Sequence, residues 1–281
     1  MKPERIGLLS DIHGNSTAFK AVLDDGAAQG VTQFWLLGDI YMPGPGTADL
    51  FELIDTYATV CIRGNWDDCL LDAVAGDAEL RNPTDVYIAR LSQYVYDAIG
   101  DEGVARVASW PLSQMVHLSD LDILVCHNLP GKNWGSDILR TADQASFDTI
   151  FDGIKADMAV IGHTHSPYLR YGSDGQIIIN PGSVGQSPVY DAGPANDLRA
   201  RYAILTVDDV GIPDIAFRRV PYDRDTEIQE ARNAGLPYLD LYAESLECGN
   251  AHTHDHETLG NLNEEFGYQE EAAAFLASRV N

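Results

Sequence analysis

Thiols are scarce in this chain. Its four cysteines among 281 residues, Cys61, Cys69, Cys126 and Cys248, form no CxxC pair and no dense disulfide framework, so reduced core thiols and a cytoplasmic location are expected. Long apolar runs are missing too. The N-terminal MKPERIGLLSDIHGN holds only a short apolar stretch before Asp11, well below a signal-peptide core or the roughly 20 residues of a membrane span. No other segment reaches that length. Cations are few: 18 Lys and Arg against 43 Asp and Glu leave a formal charge of -25, a field that repels nucleic acid and anionic membranes and excludes both as expected partners. An anionic substrate would need bound divalent metal ions to attract it.

The hydrophobic fraction of 45% and charged fraction of 22% are those of an ordinary globular protein, without low-complexity tracts or repeats. The length suits one large α/β domain, alone or with a small appendage. Short β-rich runs alternate with helical patterns at the start: RIGLLS (5–10), a helix near 17–29, QFWLL (33–37), a helix near 47–56 and ATVCI (58–62). This βαβαβ order predicts a largely parallel sheet with right-handed crossovers. Residues 84–108 read as helical. From Gln114 onward strands follow in quick succession: QMVHL, LDILVC, DMAVI, YLRY, QIIIN, RYAILTV and DIAFRRV, with a hairpin turn at Ser173-Asp174-Gly175. A parallel half followed by a mainly antiparallel half predicts two face-to-face sheets with helices outside, a four-layer α/β/β/α sandwich. The domain is assigned to residues 1–222. Residues 223–281 are read as a helical C-terminal extension packed on it, broken at Gly235-Leu236-Pro237 and ending in a helix near 263–279.

Five sites share one grammar, an apolar strand ending in a metal-ligand residue type: LLSDIHGN (8–15), WLLGDI (35–40), CIRGNWDD (61–68), LVCHN (124–128) and AVIGHTH (159–165). Strand ends of an α/β sheet gather in space, where loops can turn their side chains into one crevice. Together they supply Asp11, His13, Asp39, Asn65, His127, His163 and His165. Imidazole, carboxylate and amide oxygen suit Mn, Zn, Fe or Ni, and suit neither a calcium cage nor a thiolate site. Seven ligands exceed one tetrahedral site and fill two if a carboxylate bridges. Buried together they would be costly without cations.

These residues resemble the calcineurin-like metallophosphoesterases, whose pattern is D-x-H, then G-D, G-N-H, a lone H and G-H-x-H. The pattern stands here as Asp11-Ile12-His13, Gly38-Asp39, Gly64-Asn65, His127 and Gly162-His163-Thr164-His165, in family order across residues 5–185. Asn180-Pro181-Gly182-Ser183 is similar to the family's strand-end turn. The resemblance implies that Asp11, His13 and His165 bind one metal, that Asn65, His127 and His163 bind the other, and that Asp39 bridges. It places Asn15 near the phosphate and catalysis on Asp39, Asn65 and His127. The cofactors it implies are two divalent or trivalent transition-metal ions, Mn and Fe favoured over Zn or Ni. Such ions, about 3.5–4 Å apart, hold a hydroxide for in-line attack and neutralise the phosphoryl oxygens.

Trp66 departs from the pattern, because many family members carry a histidine after the Gly-Asn pair. An indole donates a hydrogen bond but cannot shuttle a proton. That predicts a bias toward phosphoanhydrides and activated esters, whose leaving groups are stable as anions. Trp66 is read either as packing or as a base-stacking platform. Asp67 and Asp68 are expected to open the next helix, where carboxylates complement the dipole, and Arg63 to pair with one of them.

A finer resemblance rests on WLLGDIYMPGPG (35–46), RGNWDD (63–68), HNLPGKNWG (127–135), RYGSDGQIIINPGSVGQ (170–186) and the helical tail with AHTHDH. These segments are similar to the bacterial phosphodiesterase subgroup that includes asymmetrical diadenosine tetraphosphate hydrolases. The resemblance implies a nucleotide or other small phosphoester as partner, with diadenosine tetraphosphate cleaved to ATP and AMP as the first expectation. A broad phosphodiesterase acting on cyclic or aryl diesters is the second, and a non-catalytic binding protein on the same fold is the third. Besides Asn15 and Trp66, the loop residues Lys132, Trp134 and Tyr41 are candidates for contacting polyphosphate or stacking a base. The run His252-Thr253-His254-Asp255-His256 is read as a solvated loop, a contribution over the active-site mouth, or a separate metal site. The oligomeric state is open.

Overall fold

The computed structural model describes residues 3–187 and 197–279. Its first sheet is built from β1 (Glu4–Leu9), β2 (Gln33–Leu36), β3 (Ala58–Cys61), β9 (Ala200–Val207) and β10 (Asp214–Val220), in the order β10-β9-β1-β2-β3. Strands β1, β2 and β3 are parallel, joined by helices α1 (Ser16–Ala28) and α2 (Ala48–Tyr57). The second sheet has the order β4-β5-β6-β8-β7, from β4 (Ser113–Leu118), β5 (Leu121–Cys126), β6 (Met158–Val160), β7 (Tyr168–Tyr171) and β8 (Ile177–Asn180).

The strands lie where their apolar runs place them, but the division between sheets differs from the expected halves. β9 and β10 return to the first sheet, antiparallel beside β1. The second sheet is mixed, because β5, β6 and β8 are mutually parallel and only the edges β4 and β7 are antiparallel. Parallel neighbours need a long crossover, and residues 127–157 provide it with α5 (Gln144–Asp148) and a short 3-10 turn (Thr149–Phe151). The consequence matters for the site: both sheets contribute parallel strands whose C-terminal ends can meet.

Alternation along the strands builds the layers. Ile6 and Leu8, Trp35 and Leu37, Ile123 and Val125, Met158 and Val160, and Ala203 and Leu205 form one core between the sheets. The intervening residues face outward. Leu9, Leu36, Tyr202 and Ile204 meet the helices over the first sheet, while Leu124, Ala159 and Ile178 meet Phe147 and Ile150 over the second. The four-layer α/β/β/α order follows directly.

Over the first sheet lie α3 (Asn65–Ala75) and α4 (Pro83–Ser109), the latter bent at Gly100, whose φ is 63°. Asn82 caps α4, accepting from Thr84 and Asp85 N–H, with Pro83 in the first turn. The C-terminal segment forms α6 (Arg224–Asn233), α7 (Leu239–Cys248), α8 (His256–Phe266) and α9 (Tyr268–Arg279). The single helix expected near 263–279 is two, because Gly267 adopts the left-handed conformation and ends α8. This segment shares the core over the first sheet: Leu241, Leu246, Leu259 and Phe275 pack in one cluster with Phe19, Leu50 and Leu91. Buried Glu227 fastens it further, accepting from the Tyr242 hydroxyl at 2.8 Å and from Thr17 N–H at 3.1 Å. Among the described residues no helix is long and apolar enough to cross a membrane.

Candidate metal centre

The five strand ends converge. β1 ends at Leu9 and its following turn carries Asp11 and His13; β2 leads to Asp39 and β3 to Asn65, while β5 and β6 from the other sheet lead to His127 and to His163 and His165. Asp11, His13, Asp39, His163 and His165 all have positive φ, from 51° to 64°. Non-glycine residues rarely adopt this conformation, and clusters of them mark functional turns. Each such turn reverses the chain at once, swinging the side chain into the crevice.

Two groups result. One ligand atom each from Asp11, His13 and His165 lie within 4.8 Å of one another, as do atoms from Asp39, His127 and His163. Asp39 stands between them, its Oδ2 3.3 Å from His127 Nε2 and 3.8 Å from His13 Nε2. Asn65 Oδ1 lies 3.2 Å from His127 Nε2, on the second group's side.

The imidazole tautomers are set by backbone carbonyls. His13 Nδ1 donates to Met42 O at 2.7 Å, His127 Nδ1 to Leu37 O at 2.6 Å and His165 Nδ1 to Gln186 O at 2.8 Å. His163 is reversed, with Nε2 donating to Gly135 O at 2.9 Å. Each ring therefore turns its other nitrogen into the crevice, the arrangement by which metal-ligating imidazoles are oriented. The crowding of acceptors then needs a cation. His13 and His165 bring their Nε2 atoms within 3.0 Å, and His165 Nε2 stands 3.2 Å from the buried Asp11 Oδ1. Three imidazoles or carboxylates at this spacing fit a divalent transition metal in each group, and the residues present fit two ions.

Electrostatics agree with that fit. Burial alone would raise the Asp11 carboxyl, but His165, His127 and His13 outweigh it and hold the carboxyl well below the usual range. Burial would lower His127, yet Asp39 and Asp11 raise it to about 9. His163 is pushed down to about 4, by burial and then by the charge of His127. The carboxylates thus pull positive charge into the crevice.

Asp67 is a positioning residue that its place at a helix start conceals. It is fully buried, and its Oδ2 accepts from Asp39 N–H and Gly64 N–H, both at 2.9 Å, while Oδ1 accepts from Ile40 N–H at 3.1 Å. One carboxylate therefore ties the turn that bears Asp39 to the turn that bears Asn65. Trp66 N–H completes the clamp by donating to Asp39 Oδ1 at 2.8 Å. Asp67→Asn turns one acceptor into a donor facing an N–H group, which should lower stability by about 1–3 kcal/mol. Loosening the turns should weaken Mn binding by about 10–100-fold, read by calorimetric titration beside a thermal melt. Asp68 instead pairs with Arg63 and accepts from Asn133 Nδ2 at 2.7 Å.

On the opposite flank, the turn after β8 holds two ligand loops together. Asn180 Nδ2 donates to Gly162 O, and Ser183 Oγ donates to Asp11 O at 2.9 Å. Beside the ligands opens a cavity of about 580 Å³, lined by Asn65, His163 and His165 and by Gly249, Ala251, Thr253 and His254. Trp66, Ile88 and Leu139 give it apolar walls. The indole of Trp66 meets His13 edge-on at 5.8 Å and Tyr87 at 6.3 Å, so it packs and lines the cavity at once.

The other expected substrate contacts have protein partners of their own. Asn15 is fully buried as the cap of α1, its Oδ1 accepting from Ala18 N–H and its Nδ2 donating to Gly185 O and the Tyr222 hydroxyl. Tyr41 is also fully buried, its ring against Phe51. Lys132 commits its ammonium to Asp137 at 2.8 Å and to the Trp134 ring at 4.3 Å. Trp134, 61% exposed, stands outside the lining of the ligand cavity. Nor do the alternating histidines make a third metal group among the described residues.

Comparison with known proteins accords with this geometry. The family model described as the calcineurin-like phosphoesterase superfamily domain matches residues 5–210. An uncharacterised protein of Methanocaldococcus jannaschii is 26% identical over 238 residues, covering 79% of this chain and 90% of that protein. The crystal structure of a metallophosphoesterase from Sphaerobacter thermophilus is similar at a TM-score of 0.67 and 27% identity, over 88% of this chain and 100% of that one. That of a hypothetical protein from Pyrococcus horikoshii shares the fold at a TM-score of 0.66 and 20% identity, over 83% and 94% of the respective chains.

Proposed function

The chain belongs to the calcineurin-like phosphoesterase superfamily, and from that premise we propose that it is a two-metal hydrolase of small phosphodiesters carrying one aromatic or nucleoside arm. The observation that carries the reading is the convergence of two donor groups whose imidazole tautomers are all fixed by backbone carbonyls. Bound divalent ions, Mn or Fe by expectation, would neutralise the phosphoryl charge and activate a water, which lets an acidic protein take an acidic substrate.

The chain's own residues do the rest. Asp39 keeps one oxygen on Trp66 N–H and presents the other between the two groups, so its position depends on backbone rather than on a mobile side chain. Trp66, Ile88 and Leu139 offer an apolar face to a ring, and stacking on an indole is tolerant of which ring it is. The volume of about 580 Å³ lies in the range of small-ligand sites.

Diadenosine tetraphosphate is the second reading. The indole at position 66 favours it, because an anhydride leaving group needs no proton, whereas a long dinucleotide would need a groove on both sides of the donors. The apolar face of Trp66, Ile88 and Leu139 beside the donors favours the cyclic or aryl diester. Mn-loaded protein incubated with bis-p-nitrophenyl phosphate, a cyclic nucleotide and diadenosine tetraphosphate, with products resolved by anion exchange, separates the readings. Cleavage of the diesters with slow turnover of the tetraphosphate is expected. Faster formation of ATP plus AMP would favour the second reading, and no cleavage with metal bound would leave a binding protein.

A further inference from the structure

The cavity beside the metal-ligand groups is lined in part by a segment far along the chain, and that segment brings an imidazole. Residues 249–255 link α7 to α8 and are held at both ends. Gly249 ends α7 in the left-handed conformation, at φ 73°. Asp255 caps α8, accepting from Thr258 N–H at 3.1 Å, and its own N–H donates to His252 O at 2.9 Å. In the middle, the Thr84 hydroxyl donates to the Thr253 carbonyl, fastening the segment to the start of α4.

The three histidines of the segment then differ in what they face. His252 is half-buried beside Glu244, at 3.3 Å, and Asp255, at 3.8 Å. His256 is exposed as the first residue of α8. His254 is exposed as well, and lines the same cavity as Asn65, Trp66, His163 and His165. Among the cavity's lining residues it is the one imidazole outside the ligand groups. Trp66 cannot release a proton in the useful range, the Thr84 hydroxyl is committed to Thr253, and burial pushes the Cys69 thiol up to about 12.

We infer that His254 donates the proton to the leaving-group oxygen, supplying from the C-terminal helices the acid that position 66 lacks. The inference rests on the diesterase reading above. In the step, a water oxygen forms the new P–O bond. The P–O bond to the leaving group breaks, its electron pair going to the departing oxygen. That oxygen takes the proton of the His254 imidazolium, and the proton shed by the water restores the imidazolium. The sum is diester plus water to monoester plus alcohol. General acids of this kind contribute about 10²–10⁴ in rate, and most where the leaving group is a poor one.

The test compares wild type, His254→Gln and the control His256→Gln, all Mn-loaded, on p-nitrophenyl and unsubstituted phenyl diesters of the same phosphate. His254→Gln should lower kcat/KM by about 100-fold for the phenyl ester and by about threefold for the p-nitrophenyl ester. His256→Gln should preserve the wild-type ratio of the two. Binding of inorganic phosphate, followed by calorimetry, should stay within about twofold of wild type in His254→Gln, because an acid for the leaving oxygen does little for a resting anion. Equal losses on both esters, or a phosphate affinity that falls with the rate, would make His254 a binding residue and overturn the inference. An unchanged ratio would overturn it as well. If wild type cleaves neither ester, the diesterase reading falls and this one with it; if wild type cleaves both, the ester ratio in His254→Gln alone decides the role of His254.

Discussion

Asp39→Asn should bring phosphoester hydrolysis down by about three orders of magnitude or more, roughly 4 kcal/mol of transition-state stabilisation, while the far-UV circular dichroism stays that of the native protein. The side chain contributes to none of the three apolar clusters, and asparagine has nearly its shape, so packing has no reason to change. What changes is charge and the number of acceptor sites between the groups. Asp39 Oδ2 faces His127 Nε2 at 3.3 Å and His13 Nε2 at 3.8 Å, while Oδ1 holds Trp66 N–H. An amide can keep its oxygen on Trp66 N–H only by turning its NH₂ toward the metal groups, where a donor repels a cation. If it reverses, the amide faces Trp66 N–H donor to donor. Either orientation forfeits one partner. Metal content measured by atomic absorption should fall with activity, and normal turnover with two metals retained would sink the bridging role.

The legibility of this site in the sequence has a physical basis. Each ligand follows an apolar strand within a few residues, as in LLSDIH and AVIGHTH, so a local pattern of burial followed by a donor residue marks it without knowledge of the tertiary structure. The sheet partners are another matter. The run RYAILTV announces a strand, yet nothing in it announces that β9 lies beside β1 rather than beside β8, because pairing is settled between segments distant in sequence. The carbonyls of Leu37, Met42, Gly135 and Gln186 that fix the imidazoles leave no trace in residue type, since every residue carries one. Asp67 is hidden for a related reason. An acidic residue at the start of a helix is fully accounted for by the dipole, and only its complete burial against three N–H groups reveals the second task. Burial does not sort the ligands from their neighbours either, since Asn15 and Tyr41 are as fully buried as Asp11 and His127.

Gly38→Ala should disable the same centre from the backbone side, and should destabilise the protein through strain and overpacking rather than through lost charge. Gly38 has φ of +97°, and a Cβ there would lie 2.5 Å from Gly64 N, 2.7 Å from Gly64 Cα and 2.9 Å from His127 Nδ1. The first two neighbours are backbone and cannot rotate away. The third is held by Leu37 O at 2.6 Å, so relief by turning that ring breaks the bond that fixes its tautomer. Three ligand-bearing turns, those of Asp39, Asn65 and His127, therefore meet at a point where only a hydrogen atom fits. Combining an unfavourable backbone conformation with overpacking should cost about 2–4 kcal/mol. For a chain of this size that is a fall in the melting midpoint of roughly 5–15 °C. Displacing catalytic groups by about 1 Å is worth about a hundredfold in rate, and here both sheets' contributions move. Scanning calorimetry together with kcat/KM on bis-p-nitrophenyl phosphate distinguishes the two variants. A variant with alanine at 38 that melts with wild type and turns over normally would show that the turns have slack, and that the close approach of the two sheets at this glycine is not what sets the spacing of the donors.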